Sequence, residues 1–189
     1  GISYSELNNH ERAIENYDKV LELDPGYTIA YYHRGISYSK LNNHEKAVED
    51  YDKALELDPG YTIIYYHRGS SYSELNNHKK AVENYNKILG INPKCILAYF
   101  KRGNSYLGLN EHEQAIKDFS KAIEMNPKDF QAYNNRGVAF SQKSENDKAI
   151  NDYNQAIKLN PEFIEVYINR GASYFELKQF DKAILDLNK

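Results

Sequence analysis

Apolar and polar positions along the chain follow a helical rhythm rather than the alternation of a strand. From Thr28 to Leu41 no proline interrupts the chain, and Tyr31, Arg34, Gly35, Tyr38 and Leu41 fall on one face at three- and four-residue intervals. The polar turn Asn42-Asn43-His44 supplies capping chemistry for a second helix. That helix, from about Glu45 to Leu57, places Ala47, Val48, Tyr51, Ala54 and Leu55 on one face. Glu49, Asp50, Asp52, Lys53 and Glu56 read as its solvated face. Asp58-Pro59 ends it, because proline cannot continue the hydrogen-bond ladder. The predicted unit is a helical hairpin.

The hairpin recurs along the chain. All five prolines, Pro25, Pro59, Pro93, Pro127 and Pro161, are spaced by 34 residues. An Arg-Gly pair keeps the same period at Arg34-Gly35, Arg68-Gly69, Arg102-Gly103, Arg136-Gly137 and Arg170-Gly171, with Gly1 in phase. Ala13, Ala47, Ala81, Ala115, Ala149 and Ala183 form a third ladder, and Tyr4, Tyr38, Tyr72, Tyr106, Phe140 and Tyr174 a fourth. Coincident ladders of one period identify a tandem array. Gly35 and Ala47 are expected to let the two helix axes approach to about 8–10 Å, with Tyr38 and Tyr51 filling the volume beside them. One hairpin cannot bury both its faces, so neighbours must stack.

In order, Tyr31, Arg34, Gly35, Tyr38, Ala47, Tyr51, Ala54 and Pro59 resemble the tetratricopeptide repeat. Its unit carries an aromatic, a large apolar residue, Gly or Ala, an aromatic, Ala, an aromatic, Ala and Pro. The one departure is arginine where the family usually has leucine, and it recurs in every complete repeat. The resemblance covers the whole chain. It implies an all-α, right-handed superhelical solenoid acting as a protein–protein interaction scaffold. The array divides into a partial repeat 1–27, repeats 28–61, 62–95, 96–129 and 130–163, and a partial repeat 164–189. Gly1 then falls midway through a first helix and Lys189 inside a second one, so the chain reads as part of a longer protein. Neither end carries a polar capping repeat, and end-to-end self-association through the uncapped repeats is expected.

Each first helix has a second face outside the core ladders. It consists of Ile29, Tyr32, His33, Ile36, Ser39 and Lys40, then Ile63, Tyr66, His67, Ser70 and Glu74. Leu97, Phe100, Lys101, Asn104 and Leu107 follow, then Gln131, Asn134, Asn135, Val138 and Gln142, and finally Glu165, Ile168, Asn169, Ala172 and Phe175. In the resembling family this face lines a concave groove where peptides or helices dock. An aromatic and aliphatic stripe rimmed by polar groups is the composition of an interface. On that reading Tyr32, Tyr66 and Phe100 are apolar anchors, and Asn104, Asn134, Asn135 and Asn169 hold a ligand backbone. Lys101 favours an acidic or C-terminal group, while His33 and His67 make binding sensitive to pH. Asn135 and Asn169 resemble rungs of the asparagine ladder of some family members, since an amide donates and accepts together. The competing reading buries the same side chains against adjacent repeats.

Composition narrows the remaining possibilities. With 41% apolar and 27% charged residues, the chain has enough apolar side chains for a packed interior. A net charge of −3, interleaved in sign, gives no surface for nucleic acid or an anionic membrane. The longest strongly apolar stretch, Tyr61 to Tyr66, is far too short to span a bilayer. A single cysteine, Cys95, and the absence of an Asn-x-Ser/Thr sequon favour a cytoplasmic setting. His10, His44, His78 and His112 lie a whole repeat apart, which is incompatible with a shared metal; they read as solvated turn residues. The five arginines share the core face. Their stems are expected to pack between repeats, each guanidinium meeting a second-helix carboxylate such as Asp50, Asp118 or Asp152. With no phosphate loop, His-Glu-x-x-His helix or nucleophile elbow, no enzyme activity and no cofactor are expected. Two alternatives remain: a substrate-recruiting arm of a larger enzyme, or an architectural array.

The family's carboxylate clamp for acidic chaperone tails needs a lysine where this chain carries Tyr32, Tyr66, Phe100, Asn134 and Ile168. Titration with an acidic chaperone C-terminal peptide is therefore expected to show no micromolar binding. A micromolar Kd would reverse this reading.

Overall fold

A computed structural model describes residues 9–189, which contain helices and turns and no strand. The ladder positions Gly1 and Tyr4, and the half-helix expected around Gly1, lie outside the described residues. The chain packs as two compact units, 1–93 and 94–189. The first contains α1 (His10–Leu23), α2 (Thr28–Lys40), α3 (His44–Leu57), α4 (Thr62–Glu74) and α5 (His78–Ile91). The second contains α6 (Ile96–Gly108), α7 (His112–Met125), α8 (Phe130–Gln142), α9 (Asn146–Leu159), α10 (Ile164–Glu176) and α11 (Phe180–Leu187). Within each unit, helices consecutive in sequence pack on one another. The helix expected to include Lys189 ends at Leu187.

The hairpin turns are set by local chemistry. Asn43 accepts a hydrogen bond from the backbone N–H of Lys46 at 3.3 Å and so caps α3; Asn9 and Asn77 do the same for α1 and α5. The residue before each of these later caps leaves the helical region. Asn42, Asn76, Asn110, Ser144 and Lys178 all have φ between 56° and 61°, the left-handed conformation that asparagine tolerates best among residues with a side chain. This lets the N–H of Asn43 return to the carbonyl of Tyr38 at 2.9 Å, closing the end of α2. The expected cap is present, and the left-handed turn beside it is the feature that reverses the chain.

Small residues and rings interlock at the hairpin crossing. A Cβ on Gly35 would stand 2.7 Å from the Tyr51 ring, closer than real side chains approach, and a tight 3.2 Å from the Ala47 carbonyl oxygen. Glycine is thus required by the neighbouring tyrosine. Ala47, Tyr51, Ala54 and Ile64 are fully buried around this contact, and Ala149, Tyr153, Ala156 and Val166 repeat the arrangement in the second unit. Burying one such ring contributes roughly 2–3 kcal/mol.

The arginines form rungs across this packing. Arg34 donates from Nε and Nη2 to both carboxylate oxygens of Asp50, at 2.8 and 2.6 Å, and from Nη1 to Asp18 at 2.6 Å. One side chain on α2 therefore joins α3 of its own hairpin to α1 of the hairpin before. Its plane also lies over the Tyr31 ring, 5.5 Å from the centroid. Arg136 repeats the pattern with Asp152 on α9 and Ser120 on α7, and Arg170 with Asp186 and Asn154. Arg102 grips Asp118 in the same bidentate way. Arg68 departs from the series: Asn84 replaces the aspartate of its own hairpin, leaving Asp52 as its one carboxylate partner. The Asp50 hydrogen bonds hold the Arg34 guanidinium above its ordinary pKa. Asp50, assigned to a solvated face from the helical pattern, is buried, as are Asp118 and Asp152. Their charges are tolerable because each carboxylate receives two N–H donors.

Arg136→Leu installs the family's usual residue but strands the buried Asp152 carboxylate. Unfolding free energy is expected to fall by about 3 kcal/mol, the low end for breaking a buried pair, because the Arg136 side chain is 20% exposed. Arg136→Leu/Asp152→Leu should recover most of that loss in urea denaturation. A single-variant loss below about 1 kcal/mol would reduce the rung to the status of a surface ion pair.

Candidate protein-binding site

In the first unit, the sequence-predicted face divides by depth. Ile29 and Ile63 are exposed, with Ile63 at 43%, whereas His33, Tyr66 and His67 are half-buried. Tyr32 corrects the expectation of an open anchor: it is buried, with ring centroids of Tyr61, His33 and His67 at 5.3, 5.0 and 5.6 Å. Successive first helices approach closely enough to cover that position. Beside this cluster lies a cavity of about 480 Å³. Tyr66, His67, Ser39 and Ser70 line it, together with Lys40, Glu74 and Tyr51. The sequence had given Tyr51 to the core alone.

The second unit presents a different chemistry. Leu97 at 48% and Ile168 at 54% are exposed apolar side chains, and Gln131 is also exposed. Phe100 is half-buried with its edge against Phe119, 5.8 Å between centroids, and Lys101 is half-buried. The asparagines are bonded to one another. Asn169 Nδ2 donates to Asn134 Oδ1 at 3.0 Å, and Asn134 Nδ2 to Asn135 Oδ1 at 3.1 Å. Asn135 Nδ2 then donates to Asn104 Oδ1 at 2.9 Å. Asn134 is only 1% exposed, which corrects its expected role in holding a ligand backbone. An amide buried between repeats must satisfy its polarity internally, and this chain of three bonds does so. Asn104, Asn135 and Asn169 remain half-buried at its edge.

Other sequence candidates fall outside these faces. His10, His44, His78 and His112 are half-buried, with Nδ1 buried and without a hydrogen-bond partner among the described residues, where fully solvated turn residues had been expected. Among the described residues, no group of three His, Cys, Asp or Glu side chains could hold a metal ion. Cys95 is half-buried in the loop before α6. No described helix is long and apolar enough to cross a membrane.

Stacked hairpins on a 34-residue period define an all-α repeat scaffold. The chain belongs to the tetratricopeptide repeat family: that family's profiles match residues 28–61, 63–95 and 96–129, and related TPR profiles match 1–42, 119–151 and 139–178. Among solved structures it is similar to MamA, at 26% identity and a TM-score of 0.80 over 85% of this chain and 94% of that one. A tetratricopeptide repeat protein from Parabacteroides merdae is 23% identical with a TM-score of 0.88, covering 99% and 74%. YrrB, described as a TPR protein with an unusual peptide-binding site, is 24% identical with a TM-score of 0.74, covering 93% and 90%. No curated protein matches the chain. The TPR solenoid, a protein-binding scaffold, is thus the fold of this chain.

The half-buried histidines His33 and His67 carry a pH dependence. Burial holds His33 and His67 below the ordinary histidine value, and Lys40 and His33 depress His67 further. The unfolded chain therefore binds protons that the folded chain refuses. Their contribution to stability is fully present above the unfolded value near 6.5 and is lost as pH falls through the lowered folded values. Between about pH 7 and 5.5, each is expected to steepen the loss by up to about 1.4 kcal/mol per pH unit. Thermal unfolding across that window should show a shallower slope for His67→Gln. An unchanged slope would place the proton uptake elsewhere.

Proposed function

We propose that this protein-interaction scaffold captures a peptide or helix of a partner on the first-helix faces of its repeats. The observation that carries the reading is the exposure of Ile29, Ile63 and Leu97, apolar side chains recurring at one repeat position on those faces beside half-buried polar groups. Tyr66 and Phe100 supply aromatic edges. Asn104, Asn135 and Asn169 offer amides to a backbone, and Lys101 favours an acidic or C-terminal group. His33 and His67 border the same face. The peptide-binding site described for YrrB, a protein of similar fold, is a precedent for this use of the scaffold.

A second reading rests on α10 and α11, where Phe175, Phe180, Ile184, Leu185 and Leu187 are each at least half exposed. Leu185 is apolar where the preceding repeats carry Glu15, Glu49, Glu83, Lys117 and Asn151. Such a face suits assembly with further protein.

One experiment separates the two. The chain and an Ile63→Glu/Leu97→Glu variant are used to capture proteins from a lysate of the source organism, with circular dichroism confirming the variant's fold. Both positions are exposed, so the variant is expected to fold normally and to lose the captured partner. Capture that survives the variant, accompanied by a mass that rises with concentration, would favour assembly through α11.

A further inference from the structure

In the first unit, Tyr51 has a buried hydroxyl with no hydrogen-bond partner among the described residues, and it lines the cavity bounded by α2, α3 and α4. In the next hairpin the equivalent phenol, Tyr85, lies 3.4 Å from the hydroxyl of Ser70. One period earlier Ile36 stands in place of that serine, while Ser39 keeps the place of Ser73, the other hydroxyl that Tyr85 engages. Burial holds the phenol well above its ordinary pKa, keeping the hydroxyl protonated. It is therefore free to donate, and a buried donor without an acceptor is a costly arrangement.

The cavity is also electrically divided. Lys40 and Glu74 occupy the same position one period apart, at the C-terminal ends of α2 and α4, and both line it. Among the described residues neither side chain is in an ion pair. Lys40 is close enough to His67 to oppose its protonation, so the cation lies on the imidazole's side. Glu74 acts on Tyr85, the phenol beside Ser70. The lining thus presents an ammonium from α2 and a carboxylate from α4.

Resting on the peptide-capture reading, we propose that this cavity is a subsite for a peptide carrying one acidic side chain next to one basic side chain. The ligand carboxylate takes Lys40 and the Tyr51 hydroxyl, and the ligand cation takes Glu74. A volume of about 480 Å³ lies in the range of small-ligand sites and accommodates two side chains. A run of acidic residues is disfavoured, because Glu74 repels the second carboxylate. None of the carboxylate-clamp residues takes part.

The test uses four capped tetrapeptides, acetyl-Ala-X-Z-Ala-amide, with X either Glu or Gln and Z either Lys or Gln. Each is titrated into the full chain while the His67 imidazole and Tyr51 ring resonances are followed by NMR. The Glu-Lys peptide is expected to bind about tenfold more tightly than either singly neutral peptide, the scale of one charge-assisted hydrogen bond. Lys40→Gln should abolish the preference for Glu, and Glu74→Gln the preference for Lys. Tyr51→Phe removes the donor and should weaken binding severalfold. Ile36→Ser gives Tyr51 an internal partner, as Ser70 does for Tyr85, and should weaken binding in a chain whose fold already accommodates that serine one repeat later. Affinities indifferent to peptide charge, or no shift at millimolar peptide, would overturn the subsite. So would binding unaffected by Tyr51→Phe, which would mean that the phenol's missing partner is water. Partner capture that remains sensitive to Ile63→Glu/Leu97→Glu would leave the wider reading standing while this subsite falls.

Discussion

Everything in this architecture depends on holding second helices to one another through first helices, and the arginine rung is the interaction that does it. At this position the tetratricopeptide repeat usually carries a leucine, and this chain carries an arginine in each complete repeat. Here Arg34, Arg136 and Arg170 each reach one second helix with two parallel hydrogen bonds and the preceding one with a third. The fork geometry of a guanidinium fixes direction as well as distance, so the rung sets the angle between hairpins. The aromatic ring beneath each arginine, such as Tyr31 or Tyr133, removes water from one side of the charge. Buried aspartates that would otherwise be destabilising become part of the lattice.

That lattice determines which side chains a partner can reach. Glycine at the crossing brings first and second helices together until the Tyr51 or Tyr153 ring touches backbone. Close stacking of successive first helices then buries Tyr32 and Asn134, leaving Ile29, Ile63 and Leu97, at a different repeat position, outside. The two units solve the resulting polarity problem differently. In the first, a histidine and tyrosine cluster fills the space and leaves a charged cavity beside it. In the second, amides hand one hydrogen bond to the next from Asn169 to Asn104. The first unit thus offers charge and aromatic contact, and the second aliphatic contact and edge amides.

Duplication makes the exceptions informative. Residues 1–34 and 35–68 match at 28 of 34 positions, differing at 6/40, 12/46, 14/48, 16/50, 20/54 and 30/64. Against so regular a background, a serine exchanged for Ile36 or an aspartate for Asn84 marks where one repeat gives up an internal bond that its neighbour keeps. The first takes one hydroxyl away from the Tyr51 phenol; the second leaves Arg68 with one carboxylate where Arg34 has two.

The helices, their order and the family were legible in the sequence because they depend on local periodicity. Proline, Arg-Gly, alanine and aromatic ladders report the period directly, and Asn43 announced its cap. The pairing of Arg34 with Asp50 was also legible, since both lie in one hairpin. Its second bond, to Asp18, was not, because it depends on how hairpins stack. Depth escaped the sequence for the same reason. Ile29 and Tyr32 sit on one face of one helix, yet only the neighbouring repeat decides that the first meets solvent and the second does not. Asn134 and Asn135 are adjacent and chemically identical; stacking buries one and leaves the other at an edge. A helical wheel assigns faces from a single helix, whereas burial is a property of the helices packed against it. The sequence thus determined the repeat, and the tertiary structure decided which of its polar and aromatic groups remain available to a partner.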